Sequence, residues 1–546
     1  MRSLRTLVIL SIILGAAVAS CAANSSSQHP TDTAVAPAPG TTAVGTLRFA
    51  ATPAPAPPPP SSYVCTTGFP QANFPYTIPF GPGVPPDIKT FAAQPVVDCF
   101  AWGEFIALNW SVEKAAGFGD PLDFGQVTWQ TYPSASALFL EDGGAPPSLG
   151  DEPPAPAHCM EQAGVSAEAA KHLHVLSASS KLDATDPSSS FDIHQAALGA
   201  GPNWLGAQNG TNVWYEVRVS PDEYSYVVDA GLYNADQQLA FVKAGNRVNL
   251  PMGCSPASGE QCDAGATLGA LEVKAAWMEA PGYPSSDASA NAQWQRYKLT
   301  SAVVVDPETR RCRQTTLALV GLHILHKTTS QPTWVWATFE QIDNVPAADV
   351  PAPNGYNFSN ASCAVKPLTM PKRCLADGGT SDASVTVQIP CDGNPPPYNL
   401  EPGCPSPAPI QVTRRTPIDP NSAVPVNQAS ATGIHAYQAS SVWQYYELVD
   451  VLWSTNSIAN SGDGGTPRPF NSPTSGGASV ANTTLETYAQ SSICTDCHAF
   501  APIARNQAVS SDFSFLFENA GPENTQRTRV RAHSMKLVKA VELKKR

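Results

Sequence analysis

Within the stretch SSICTDCHAF, residues 491–500, three side chains stand at a spacing that carries a definite chemistry: Cys494, Cys497 and His498. Cysteines in a Cys-x-x-Cys pair sit one helical turn apart, which matches the two vinyl groups of a haem to which they can add as thioethers. A histidine directly after the second cysteine reaches the iron from the proximal side. Cys494 and Cys497 are therefore read as the attachment points of one covalent haem c, and His498 as its iron ligand. Thr495 and Asp496 are spacers. Competing chemistries need partners the sequence does not offer. A zinc centre takes about four ligands, and no second Cys-x-x-Cys and no His-x-x-x-His accompanies the motif. A thioredoxin-like pair belongs in a βαβ setting, which is absent around residue 494. A Cys494–Cys497 disulfide would close a strained short loop.

Apolar residues gather on both sides of the motif: Leu485 and Tyr488 before it, then Phe500, Phe513, Phe515 and Phe517. They suit the walls of a haem pocket, which exclude water and raise the potential, and equally suit ordinary core packing. The sixth iron ligand stays open. Met535 would favour a high-potential carrier, His533 or His435 a lower potential, and an empty, water-bound or upstream-ligated position completes the alternatives. Met535 also reads as a plain helix core residue.

Other constellations are weaker. His323 and His326, in HILHK, stand three apart on an expected strand, so they point to opposite faces and cannot share one metal. His172 and His174 diverge in the same way on an expected helix. Trp334 and Trp336 suit a packed strand face. No G-x-S-x-G, Walker A loop, G-x-G-x-x-G or H-E-x-x-H supports a hydrolase, nucleotide or zinc-protease reading.

The elements that must position the motif follow from periodicity. VVDCFAWGEFIALNW places Val97, Phe100, Ala101, Phe105 and Leu108 at helical spacing. NVWYEVRVS alternates, with Glu216 and Arg218 opposite Val213, Tyr215, Val217 and Val219, and predicts a half-buried strand. SPDEYSYVVDAG predicts a helix with Ser220 as N-cap, Pro221 in the first turn and Glu223 completing a capping box. RYKLTSAVVV and RCRQTTLALVGLHILHKT flank a turn signal and predict a hairpin, and PTWVWATFEQI a further strand. The region 63–363 is expected to be an α+β domain with an antiparallel sheet. Residues 364–425, rich in Cys and Pro, read as a connector. Residues 426–546 are expected to form a mainly α haem c domain, with ASSVWQYYELVDVLW, TLETYAQSSICTDCHAF and RAHSMKLVKAVELKK as helical pieces.

The N-terminus predicts export. Arg2 and Arg5 precede an apolar run from Leu7 to Ala19, too short to span a bilayer comfortably. Val18-Ala19-Ser20-Cys21 resembles a bacterial lipoprotein cleavage box, making residues 1–20 a signal peptide and Cys21 the lipidated mature N-terminus. Residues 21–62 then form a Pro/Ala-rich spacer. With 13 cysteines, setting aside Cys21, Cys494 and Cys497 leaves an even number, compatible with up to five disulfides in an exported chain. The formal charge of −13 repels phosphate backbones and argues against nucleic acid as a partner. The membrane is expected to be met by the lipid anchor only, on the periplasmic side.

The stretches NTTLETYAQSSICTDCHAFA, SDFSFLF, SSVWQYYELV, LVGLHILHKTTSQPTWVWATFEQIDNVP and DCFAWGEFIALNW resemble, in patches over residues 95–520, bacterial exported proteins called cytochrome c family proteins. These carry one C-x-x-C-H near the C-terminus behind a larger region of undefined role. The resemblance implies haem c binding and electron transfer through Cys494, Cys497 and His498, with a redox partner protein it does not name. Two other functions fit the same residues. One is a haem-dependent oxidoreductase or sensor whose α+β domain binds a substrate; the other is a lipoprotein binding module with a structural haem.

Overall fold

β-branched and aromatic residues dominate the centre of the chain, and they build one large sheet. The computed structural model describes residues 60–65, 76–88, 93–113, 117–121, 123–152, 157–166, 173–176, 205–254, 268–284, 291–305, 312–347, 355–360, 366–372, 380–389, 411–454, 474–475, 480–487, 490, 493–499 and 501–522. Cys21, His172, His533 and Met535, with the expected signal peptide and most of the spacer, lie outside these residues.

The strands are β1 (Ser62–Val64), β2 (Thr77–Pro79), β3 (His174–Leu176), β4 (Val213–Val219), β5 (Leu271–Glu279), β6 (Leu299–Val305), β7 (Cys312–His326), β8 (Val335–Gln341), β9 (Lys366–Pro371), β10 (Ser384–Ile389), β11 (Tyr446–Ser454), β12 (Thr474–Ser475), β13 (Pro502–Ile503) and β14 (Asn506–Ser510). The helices are α1 (Gln94–Leu108), α2 (Ala135–Leu138), α3 (Ala157–Ala163), α4 (Pro221–Asp229), α5 (Ala235–Lys243), α6 (Ala423–Tyr437) and α7 (Cys494–His498). Eight strands form the main sheet, in the order β12-β11-β8-β7-β5-β4, with β6 on β7 and β3 on β6. β7 organises it: residues 317–326 pair with β5, while β8 takes 321–326 and β6 takes 312–318. Every pairing is antiparallel except β3 with β6.

The sheet is buried on both faces. One face carries Val273, Leu322, Ile324, Ala337, Phe339, Leu448 and Val451, and α1 and α6 pack on it. α1 is apolar nearly all round, as suits a helix enclosed on every side; its Trp102 and Phe105 rings meet Phe339 at 5.2 and 4.4 Å. The opposite face presents Leu325, Trp336 and Leu452 to α4, α5 and the chain after residue 480. Glu216 and Arg218 do lie across β4 from Tyr215 and Val219, but they are buried too, so the strand is not half-exposed. Glu216 accepts from Trp277 Nε1 (2.8 Å) and pairs with Arg218 (3.1 Å).

The expectation of an α+β domain followed by a mainly α haem c domain is overturned. After α6 the chain makes a 3-10 turn (Val442–Tyr445) and enters the main sheet as β11, which pairs with β8. The motif itself contributes one short helix, followed by the β13–β14 hairpin. The described residues are thus a mixed, sheet-rich fold. The cause is burial. Leu448, Val449, Val451, Leu452 and Trp453 are all enclosed, and a strand buried on both faces shows a continuous apolar run that periodicity does not separate from a helix. The region read as a connector contains the β9–β10 hairpin.

Cys65 is bonded to Cys99 and Cys159 to Cys312, and Cys254 is disulfide-bonded as well. These bridges place the chain in an oxidising, exported environment. Among the described residues, no helix is long and apolar enough to cross a membrane.

Candidate haem-attachment site

The approach to the motif is fixed by the sheet. Asn482 donates its side-chain amide to Thr338 Oγ1 (3.0 Å) and the Phe339 carbonyl (2.9 Å). Thr483 donates its backbone N–H (2.5 Å) and hydroxyl (2.6 Å) to Glu340, whose charge Arg414 balances at 3.0 Å. This close docking requires Gly321: a Cβ there would stand 2.1 Å from Thr484 Oγ1.

Cys494–His498 then fold as the five-residue α7. Cys494 is half-buried at the margin of the core formed with Trp336, Ile503 and Phe517. The His498 ring is half-buried, its Nδ1 2.8 Å from the carbonyl oxygen of Phe513. A carbonyl can only accept, so Nδ1 carries a proton, and in the neutral ring the lone pair is then on Nε2. The ring stands edge-on to Trp336 (4.8 Å) and Phe515 (5.1 Å). Trp336 and Phe513 meet at 6.1 Å.

The loop that presents the Phe513 carbonyl is held from several directions. Ser511 N–H donates to the Ala501 carbonyl (2.9 Å), and the Ser511 hydroxyl to the Ser514 carbonyl (2.6 Å). Ser514 Oγ accepts from Leu516 N–H (3.3 Å) at the start of the 3-10 turn Phe515–Asn519. Asp512 and Phe513 have φ of 61° and 71°, and Trp334, whose Nε1 donates to the Asp512 carbonyl (3.1 Å), has φ of 71°. Among the described residues these are the non-glycine positions at positive φ. Bulky side chains adopt that region only where surrounding contacts over-determine it, and all three converge on the corner that orients His498. The Asp512 carboxylate supplies the anchor. It accepts from Leu250 N–H (2.7 Å) and pairs with Lys327 at 2.5 Å, both side chains fully buried. Lys327 Nζ also donates to Asn249 Oδ1 (2.8 Å).

Two further carboxyls lie beside this ion pair. Ser220 Oγ caps α4 by accepting from Glu223 N–H (3.3 Å), the first half of the expected capping box. The second half is absent, because Ser220 N–H donates to the Leu271 carbonyl (2.8 Å). The Glu223 carboxyl instead turns inward against Glu272, and both are buried. Burial holds Glu223 well above the usual carboxylate range, with the Glu272 and Asp512 charges adding and Lys327 opposing. Burial pushes Glu272 up to about 7, opposed by the Ser514 hydroxyl and Lys274.

The other histidines are placed apart from His498. His323 pairs with Glu486 (3.1 Å) on the motif's side of the sheet, and His326 with Glu104 of α1 (2.5 Å) on the other. His174 sits by Glu216 at 3.2 Å. His435 is an exposed residue of α6 whose Nδ1 is 3.1 Å from Gln444 Oε1, with the sheet between it and His498. Among the described residues no three His, Cys, Asp or Glu side chains converge as a metal site.

The residues present fit a c-type haem: cysteines at Cys-x-x-Cys spacing, a histidine whose Nε2 would be the ligating nitrogen, and aromatic edges around its ring. Thr495 Oγ1, inside the motif, is buried with no hydrogen-bond partner. Sequence reasoning missed the Phe513 carbonyl, Asp512 and Lys327. The one signal for them was an acid set inside the aromatic run SSDFSFLF. No family model, curated protein or solved structure matches this chain.

Proposed function

We propose that this chain is an exported monohaem c-type cytochrome that transfers electrons, a member of the cytochrome c family its motif resembles, standing on the periplasmic side through a lipid on Cys21. The observation that carries the reading is the pairing of Cys494-Thr-Asp-Cys-His498 with a backbone acceptor at His498 Nδ1. A metal-ligating histidine characteristically donates its other ring N–H to a carbonyl or carboxylate, which fixes the tautomer and raises the basicity of the ligating nitrogen.

Each residue then has a task. The Cys494 and Cys497 thiols hold the cofactor through thioether bonds. His498 offers Nε2, and the Phe513 carbonyl keeps its ring from turning. Trp336, Phe513 and Phe515 keep water from the imidazole. Bound there, haem c supplies a one-electron iron couple.

Absorption spectra of protein matured with haem-attachment machinery, oxidised and reduced, with and without carbon monoxide, test the proposal. Sharp reduced bands insensitive to carbon monoxide are expected of a six-coordinate carrier. A carbon monoxide shift would replace the carrier with an oxidoreductase or sensor having an exchangeable site.

A further inference from the structure

Glu223 and Glu272 come from separate elements, the first turn of α4 and the face of β5. Glu223 does not complete its cap, and Glu223 Oε2 and Glu272 Oε1 are buried with no hydrogen-bond partner. Two carboxyls pressed together out of water cannot both be ionised, so they keep a proton between them. The groups facing them are Asp512 from the His498-holding loop, Lys327 from the end of β7 and Lys274 from β5 itself.

The pair has a direct route to the motif. Glu272, Leu325, Trp336 and Leu452 form one row across β5, β7, β8 and β11, in register and on one face. Two strand spacings of about 4.8 Å separate Glu272 from Trp336, and His498 packs on Trp336. The second route is the loop, since Asp512 precedes the residue whose carbonyl accepts from His498.

We infer that the Glu223–Glu272 pair is the proton-accepting partner of electron transfer at His498, taking up one proton when the bound iron is reduced. The inference rests on the haem reading. One electron arrives from a reduced partner protein, or from a mediator dye in the assay, and converts Fe(III) to Fe(II). One proton arrives from solvent, and an O–H bond forms on the ionised member of the pair. Nothing else is consumed or released. The sign follows from charge: reduction removes one positive charge from the centre, so the carboxyl holds its proton more tightly. For charges on the order of 12 Å apart at an effective dielectric of about 20, the proton affinity would change by about tenfold.

The test is the midpoint potential of the matured full-length protein against pH, for the wild type, Glu272→Gln and Glu223→Gln. For the wild type the potential should fall as pH rises through the region around 7, by about 59 mV in all, the equivalent of tenfold for one electron. Glu272→Gln should flatten that fall while leaving covalent haem and the visible spectrum unchanged. Reduced-minus-oxidised infrared spectra of the wild type provide a check that needs no variant: reduction should add a protonated-carboxyl C=O band. A pH-independent potential with covalent haem present, or an unchanged slope in both variants, overturns this inference and spares the haem reading. Protein without covalent haem overturns both.

Discussion

Replacing Lys327 by methionine tests whether the buried ion pair holds the loop that orients His498. Methionine keeps most of the lysine stem, so the main loss is the ammonium beside Asp512 Oδ2, 2.5 Å away with both side chains fully buried. Asp512 keeps the Leu250 N–H, but its charge loses this counter-ion inside the protein. Removing one member of a buried pair costs about 3–5 kcal/mol, because the remaining charge stays desolvated. Asp512→Asn should cost a similar amount by stranding the ammonium. The double variant Lys327→Met/Asp512→Asn removes both charges of the ion pair and should recover about 2–3 kcal/mol relative to the sum of the singles. Urea unfolding of the disulfide-intact protein, followed by tryptophan fluorescence, reads all four corners of the cycle. Because Phe513 follows Asp512 directly, the Lys327→Met haem protein should also show a broadened reduced spectrum. Single losses below about 1 kcal/mol, or strict additivity, would show that the pair does not anchor this loop.

Other outcomes follow from the same geometry. Cys494→Ser and Cys497→Ser should each reduce, and together abolish, haem retained on a denaturing gel. His498→Ala should leave attachment in place while opening the iron to carbon monoxide, visible as a shifted reduced spectrum. The raised Glu272 gives a sign for stability against pH. Its folded pKa of about 7 exceeds the ordinary unfolded value of about 4.3, so the folded state binds the extra proton. Stability from this group is complete below pH about 4 and is lost as pH rises through about 7, a change of roughly 3–4 kcal/mol. Glu272→Gln should remove that slope and be the more stable protein at pH 8, measured by urea midpoints across pH. The Cys65–Cys99 bridge spans 34 residues, and replacing both cysteines by serine should cost about 4 kcal/mol by loop-closure entropy, read as a lower urea midpoint.

How far the sequence could be read depended on whether a feature was local. Cys494, Cys497 and His498 could be picked out as one motif because their spacing is local, and the structure sets the five residues on one short helix. His323 and His326 were legible as facing apart because a strand has period two. The acceptor for His498 lies 15 residues on, and it is a backbone carbonyl, which any residue type supplies. The Lys327–Asp512 pair joins residues 185 apart, and nothing in either neighbourhood names the other. β11 was misread as helix because its apolar residues face two cores at once. Glu223 matched a local capping pattern, but the Ser220 N–H it would have accepted from is taken by the Leu271 carbonyl, and its carboxyl turns against Glu272 instead. The positive φ of Asp512 and Phe513 left no sign, since no glycine marks the turn.

The most direct measurement of the central claim is the mass of the intact protein, matured with haem-attachment machinery and denatured, followed by that of the peptide containing residues 494–498. The account predicts one haem retained through denaturation and carried on that peptide, with neither Cys494 nor Cys497 available to an alkylating reagent. Recovery of the peptide without haem, as a Cys494–Cys497 disulfide or as two alkylated thiols, would contradict it.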